Sequence, residues 1–108
     1  MDKYLRYLAV LDKSNKKFQL TNDERLLLDV VATAIHADKV IYVKDLITLN
    51  HIASQATLHK ALMALIDKKL VHFKFTKEDA RLKEVHLTKL AEKRYEELSK
   101  AIENAVKK

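Results

Sequence analysis

The chain has 108 residues, enough for one domain with one modest core, and its 48% apolar and 33% charged residues describe a globular protein with a heavily charged surface. It has no cysteine, which excludes disulfides and thiolate chemistry, and no glycine, which excludes the P-loop and the dinucleotide fingerprint. The formal net charge of +6 suits a polyanionic partner, and no apolar run approaches the roughly 18 residues of a membrane span, so a cytoplasmic, nucleoid-associated protein is expected.

Tyr4, Leu5, Leu8 and Leu11 form one stripe of a short amphipathic helix over residues 2–12, and the polar run Asp12 to Lys17 is expected to end it. Residues 1–19 thus read as a helix and a linker. Thr21 and Glu24 make the T-x-x-E capping box of the next helix, about Asn22 to Ala37, in which Leu27, Leu28, Val31, Ala34 and Ile35 recur at helical spacing. Val40, Ile41, Tyr42 and Val43 suffice for a short strand beside a hairpin. Lys44 to Leu49 reads as a short helix, Asn50 to Ala53 as a turn, and Ser54 as the N-cap of a helix reaching Lys68. Its buried stripe is Leu58, Ala61, Leu62, Leu65 and Ile66. Two helices joined by a tight turn are what a helix-turn-helix requires.

Val71, Phe73 and Phe75 alternate with His72, Lys74 and Thr76, and a second alternation carries Val85 and Leu87, so a hairpin with one face on the core is expected. Its tip is Lys77 to Arg81. Thr88 is placed to cap a last helix in which Ala91, Tyr95, Leu98, Ile102 and Ala105 repeat with 4-3-4-3 spacing; that seam packs on a partner helix, within the chain or across a dimer. With neither glycine nor proline available, Asn15, Asn22, Asp38, Asn50 and Asp79 are the candidates for left-handed backbone where the chain breaks.

A helix running into a charged hairpin is the working end of a winged helix-turn-helix. The expected fold is therefore α+β, mostly α, as one domain: 1–19 as N-terminal helix and linker, 20–88 as the winged-helix core, 89–108 as the C-terminal helix. Residues 1–54 carry eight Lys/Arg against seven Asp/Glu, whereas residues 55–108 carry thirteen against eight, so the basic excess lies in the half that holds the expected reading helix and wing. On that helix the amino-terminal exposed positions Ser54, Gln55, Ala56, Thr57, His59 and Lys60 are the candidates for reading duplex DNA. Gln pairs with adenine, Lys and His donate to guanine or phosphate, and an alanine methyl touches thymine. At the tip, Lys77, Asp79 and Arg81 are the wing candidates, an arginine for the minor groove with a carboxylate to orient it. Tyr4, Leu8, Leu11, Tyr95, Leu98 and Ile102 are the dimerisation candidates. His72 and His86 fall on one outer face of the hairpin with only Glu84 as a third donor, so no metal site and no cofactor are expected. No nucleophile, base and acid can be grouped, and an enzyme is not expected.

The segments LTNDERLLL, VKDLITLNHIASQATLHKALMALIDKKLV and KEDARLKEVHLT together resemble the MarR family of winged-helix regulators, over Leu20 to about Tyr95. The more specific elements are Ser54-x-x-Thr57-Leu58, Leu62-x-x-Leu65 and Asp79-Ala80-Arg81 followed by Leu87-Thr88. The resemblance implies that Arg81 enters a minor groove and Asp79 supports it. The chain departs from the family in having Lys69 and Leu90-Ala91 where glycines are usual, and in its shorter terminal helices. Small relatives of the SarA type are also similar around Asp45-Leu46-Ile47 and Leu49-Asn50. The implied function is a homodimeric transcriptional regulator on an inverted-repeat DNA operator, with no effector named by the sequence. A winged-helix protein-interaction adaptor and a plasmid or phage replication or partition protein are the alternatives.

Overall fold

The structure, a computed structural model, describes residues 1–76 and 82–106. Along the chain come α1 (Asp2–Lys17), α2 (Asn22–His36), α3 (Val43–Ile47), α4 (Gln55–Asp67), β1 (Val71–Phe75), β2 (Lys83–Leu87) and α5 (Lys89–Val106). The strands pair antiparallel, Val71 opposite Leu87 and Phe75 opposite Lys83. This is a winged helix-turn-helix, with α3 and α4 as the helix pair and β1–β2 as the wing.

Each helix of the core begins where the sequence supplies an acceptor. The Glu24 N–H donates to Thr21 Oγ1 at 3.2 Å, and the Thr21 hydroxyl donates to the Glu24 carboxylate at 2.9 Å. The Thr57 N–H donates to Ser54 Oγ at 3.3 Å, and the Ala91 N–H to Thr88 Oγ1 at 3.1 Å. Such caps satisfy amide donors that a helix start leaves open. The strand expected over 40–43 is reduced to one bridge between Tyr42 and Glu84, with the Val85 N–H donating to the Ile41 carbonyl at 2.9 Å. Asp45 explains the change: its carboxylate accepts from the Tyr42 N–H at 2.9 Å and turns the chain into α3 directly afterwards.

The helix ends are built without glycine. Positive φ occurs at Gln19 (54°), Asp38 (56°) and Lys69 (61°). Asp38 was expected; Gln19 and Lys69 were not, and Asn15 and Asn22 lie inside helices instead. At all three positions the pair of hydrogen bonds is that of a Schellman motif. At the end of α4, the Lys69 N–H reaches the Ile66 carbonyl at 2.9 Å and the Leu70 N–H reaches the Leu65 carbonyl at 3.0 Å. Leu65 and Leu70 are both fully buried, supplying the apolar contact that accompanies such a cap. Lys69 thus occupies a left-handed position of the kind the family resemblance fills with glycine.

Leu27, Leu28 and Val31 of α2, Leu46 of α3, and Leu58, Leu62 and Leu65 of α4 meet Leu70, Val71, Val85 and Ala91 in one core. Burying a leucine fully contributes about 1.5–3 kcal/mol, so the stripe on α4 fixes its rotation and turns the opposite face outward. The sequence pattern placed Phe75 on the apolar side as well, yet it is exposed. It lies at the end of β1 away from the buried Val71, where the strand no longer packs on the core.

The polar run Asp12 to Lys17 does not end α1. The helix continues to Lys17, with Lys16 and Asp12 paired at 3.0 Å one turn apart. The run contains no residue that cannot be helical, and it gains a tertiary contact: Asn15 Oδ1 accepts from Arg94 Nη2 at 2.6 Å. Arg94 is 1% exposed, stacks on the Tyr95 ring at 4.9 Å, and its Nε and Nη1 have no partner among the described residues. The seam residues Ala91, Leu98 and Ala105 are buried within the chain, and α5 lies along α1. Tyr95 is tied to α2, its hydroxyl donating to Asp29 Oδ1 at 2.7 Å. No helix among the described residues is long and apolar enough to cross a membrane.

Candidate nucleic-acid interface

Leu58, Ala61, Leu62 and Leu65 are buried, and a helix that buries this stripe must present the rest of its surface. Ser54, Gln55, Ala56, Thr57, His59 and Lys60 are all exposed at the start of α4. The structure therefore brings the six expected reading residues onto one accessible surface. Two of them shape that surface rather than leaving their hydroxyls unengaged. Ser54 accepts from the Thr57 amide and donates to Thr57 Oγ1 at 2.9 Å, which fixes the first turn. Gln55, His59 and Lys60 make no side-chain hydrogen bond or ion pair among the described residues, so their donors and acceptors are available to a ligand. Met63, on the same face, is half-buried against the core and offers little.

The far end of α4 is held by contacts that sequence spacing did not reveal. Lys68 Nζ pairs with the buried Glu24 carboxylate and donates to the Gln19 carbonyl at 2.6 Å. This ties the end of the helix to the start of α2 across 44 residues of sequence. Its effect is to fix the pitch of α4 relative to the core, which any reading of a groove requires. Only the capping-box position of Glu24, which ties its carboxylate to the start of α2, hinted that this acid is held against the protein.

On the hairpin, His72 faces His86 across the strands, their rings stacked with centroids 5.6 Å apart. Glu84 lies 3.3 Å from His86 Nε2. Among the described residues no three His, Asp or Glu side chains are grouped so as to hold a metal ion. The expected wing residues Lys77, Asp79 and Arg81 lie outside the described residues. Within the described residues, Lys83 Nζ stands 5.8 Å from the centroids of both Phe73 and Phe75, and Lys44 Nζ stands 5.9 Å from the Tyr42 ring.

Of the expected dimerisation residues, Tyr4, Leu8 and Ile102 are exposed and Leu11 is half-buried. Leu98 is buried and Tyr95 half-buried within the chain. Burial, followed by the hydrogen bond to Asp29, pushes the Tyr95 phenol well above its ordinary range and keeps it protonated.

Neither a protein-family model nor a curated protein sequence matches this chain. Solved structures do match it in fold. A MepR–DNA complex of S. aureus superposes with a TM-score of 0.75 at 19% identity, over 92% of this chain and 71% of that one. MarR superposes at 0.63 and 18%, over 90% and 67%. The adhesin competence repressor AdcR of Streptococcus pyogenes superposes at 0.61 and 21%, over 98% and 73%. At these identities the likeness is one of fold.

Proposed function

We propose that the chain is a MarR-type transcriptional regulator that binds double-stranded DNA as a homodimer on an inverted-repeat site. The observation that carries this reading is the exposed start of α4, where Gln55, Ala56, His59 and Lys60 stand clear of the core on the helix that runs into the hairpin. A fold shared with MepR, a protein solved on DNA, supports it. The amino-terminal half of α4 enters a major groove, where Gln55 and Lys60 address base edges and His59 a base or phosphate. Lys77 and Arg81, with Asp79 as support, reach the flanking minor groove. Two copies meet through α1 and α5, with Tyr4, Leu8 and Ile102 at the surface and Leu11, Tyr95 and Leu98 behind them. A two-fold dimer presents two α4 helices, and that is why its site is an inverted repeat. Occupation of such a site within a promoter represses by occlusion.

Selection of bound duplexes from a random pool, followed by salt titration of the winner, tests the reading. The selected site is palindromic, and log affinity falls with log salt by about 0.9 per phosphate contacted. Gln55→Ala and Lys60→Ala each cost about 1–3 kcal/mol and change the preferred base, while Arg81→Ala weakens binding most at A·T-rich flanks. No salt-dependent binding to any duplex refutes it and favours a protein-contact role for the same surface.

A further inference from the structure

The hairpin has one strand edge open. The Thr88 N–H donates to the Leu70 carbonyl at 3.1 Å and the Thr76 N–H to the Leu82 carbonyl at 3.2 Å. Hydrogen-bonded and non-bonded pairs alternate along an antiparallel ladder, so the register makes His72 and Lys74 the residues of β1 that bond to β2. The backbone N–H and C=O groups of Val71, Phe73 and Phe75 therefore point away from β2. The far edge of β2 is taken, because the Val85 N–H donates to the Ile41 carbonyl at 2.9 Å. Along the outer edge of β1 no backbone group among the described residues serves as partner. Val71 is buried, Phe73 half-buried, and Lys74 and Phe75 exposed, so this edge is accessible from Phe73 onward. It has no proline and its pairing runs without a bulge; of the usual devices that blunt an edge, only the charge of Lys74 is present.

We infer that the outer edge of β1 receives an acidic extended peptide of a partner protein, added as a further antiparallel strand. Charge selects the occupant. Residues 68–89 carry seven Lys/Arg against three Asp/Glu, so a second copy of β1 on this edge sets one basic hairpin against another. Lys74 makes no ion pair among the described residues, and Glu84, opposite it in the register, is turned to His86 at 3.3 Å. A nucleic-acid backbone offers acceptors to the two open amides and leaves the Phe73 and Phe75 carbonyls unmatched. A peptide strand supplies an N–H and a C=O at every second residue, which is the spacing the edge presents. Alternation then sets the sequence of the guest. Its residues on the side of His72 and Lys74 carry carboxylates, and those opposite Phe73 and Phe75 are apolar, covering a Phe75 ring that is 65% exposed. Main-chain bonds give the affinity and the alternating side chains the specificity. The edge is open whether or not α4 meets a duplex.

The probe is an end-blocked heptapeptide of alternating glutamate and valine, titrated against the full isotope-labelled chain with amide shifts and hydrogen exchange as the readout. The amides of Phe73 and Phe75 shift and slow in exchange at least about fivefold, while those of His72 and Lys74, already bonded to β2, change little. Methylating the valine nitrogens, which face β1 in an antiparallel strand, abolishes binding; methylating the glutamate nitrogens, which face away, leaves it within about twofold. Lys74→Glu, at an exposed position, weakens binding at least about tenfold and lets the lysine–valine counterpart bind instead. A shuffled peptide of the same composition binds at least about tenfold more weakly. Unchanged Phe73 and Phe75 amides at millimolar peptide, equal binding of the shuffled peptide, or equal binding with methylated valines overturns the added strand. Protection of the same two amides on concentrating the chain alone assigns the edge to a second copy, and protection on adding duplex DNA assigns it to nucleic acid; either overturns the peptide.

Discussion

Replacing Lys69 with glycine tests how a glycine-free chain ends its helices. Lys69 has φ 61°, and holding a residue with a Cβ in the left-handed region costs roughly 1–2 kcal/mol. Glycine removes that cost but gives the unfolded chain more freedom, worth about 0.4–1 kcal/mol in the opposite direction. The net expectation is stabilisation of about 0.5–1 kcal/mol, or about 2–6 °C in Tm for a domain near this size. Urea denaturation followed by circular dichroism measures it as a higher midpoint at unchanged m. Lys69→Ala keeps the left-handed penalty and leaves the midpoint near wild type. Asp67→Gly, inside the last turn of α4, lowers stability by up to about 1 kcal/mol. Gln19→Gly repeats the gain, whereas Asp38→Gly gives less because aspartate tolerates this region better. A Lys69→Gly protein no more stable than Lys69→Ala refutes the backbone argument, since both remove the same long side chain.

The buried guanidinium gives a second test: Asn15→Ala removes the one side-chain acceptor that Arg94 has among the described residues and costs about 1.5–3 kcal/mol, while Arg94→Met falls within about 1 kcal/mol of wild type or above it. Equal losses from the two substitutions in thermal or urea denaturation contradict this account. Tyr95 makes stability fall in alkali. Its folded phenol stays protonated above the unfolded value of about 10, so the unfolded chain binds fewer protons there and stability declines as pH rises past about 10. Tyr95→Phe costs about 1 kcal/mol at neutral pH and flattens that decline; an unchanged alkaline slope in the variant tells against it. Leu8→Glu combined with Ile102→Glu places charge on the proposed contact and weakens self-association by at least about thirtyfold, read as a dimer-to-monomer shift in sedimentation. A mass that does not change with these substitutions removes that surface from the interface.

Local physics made much of the architecture readable in the residues alone. The period of Leu58, Leu62 and Leu65 specified which face of α4 is buried, and so which residues are exposed. Thr21, Ser54 and Thr88 marked helix starts because a hydroxyl three residues before an open amide is a local arrangement. The facing of His72 and His86 followed from strand alternation and the centre of the turn. What required the tertiary structure were the contacts between residues distant in sequence. Arg94 lies three residues after Ala91 and four before Leu98, flanking the seam, but only Asn15 of α1 and the Tyr95 ring show why a charge can be buried there. Lys68 reaches Glu24 and Gln19 only because α4 ends beside the start of α2. Phe75 has the same apolar alternation as Phe73, yet Phe73 packs on the core and Phe75 does not. Periodicity fixes direction along one element; how far another element extends over it is decided by packing, which no local pattern encodes.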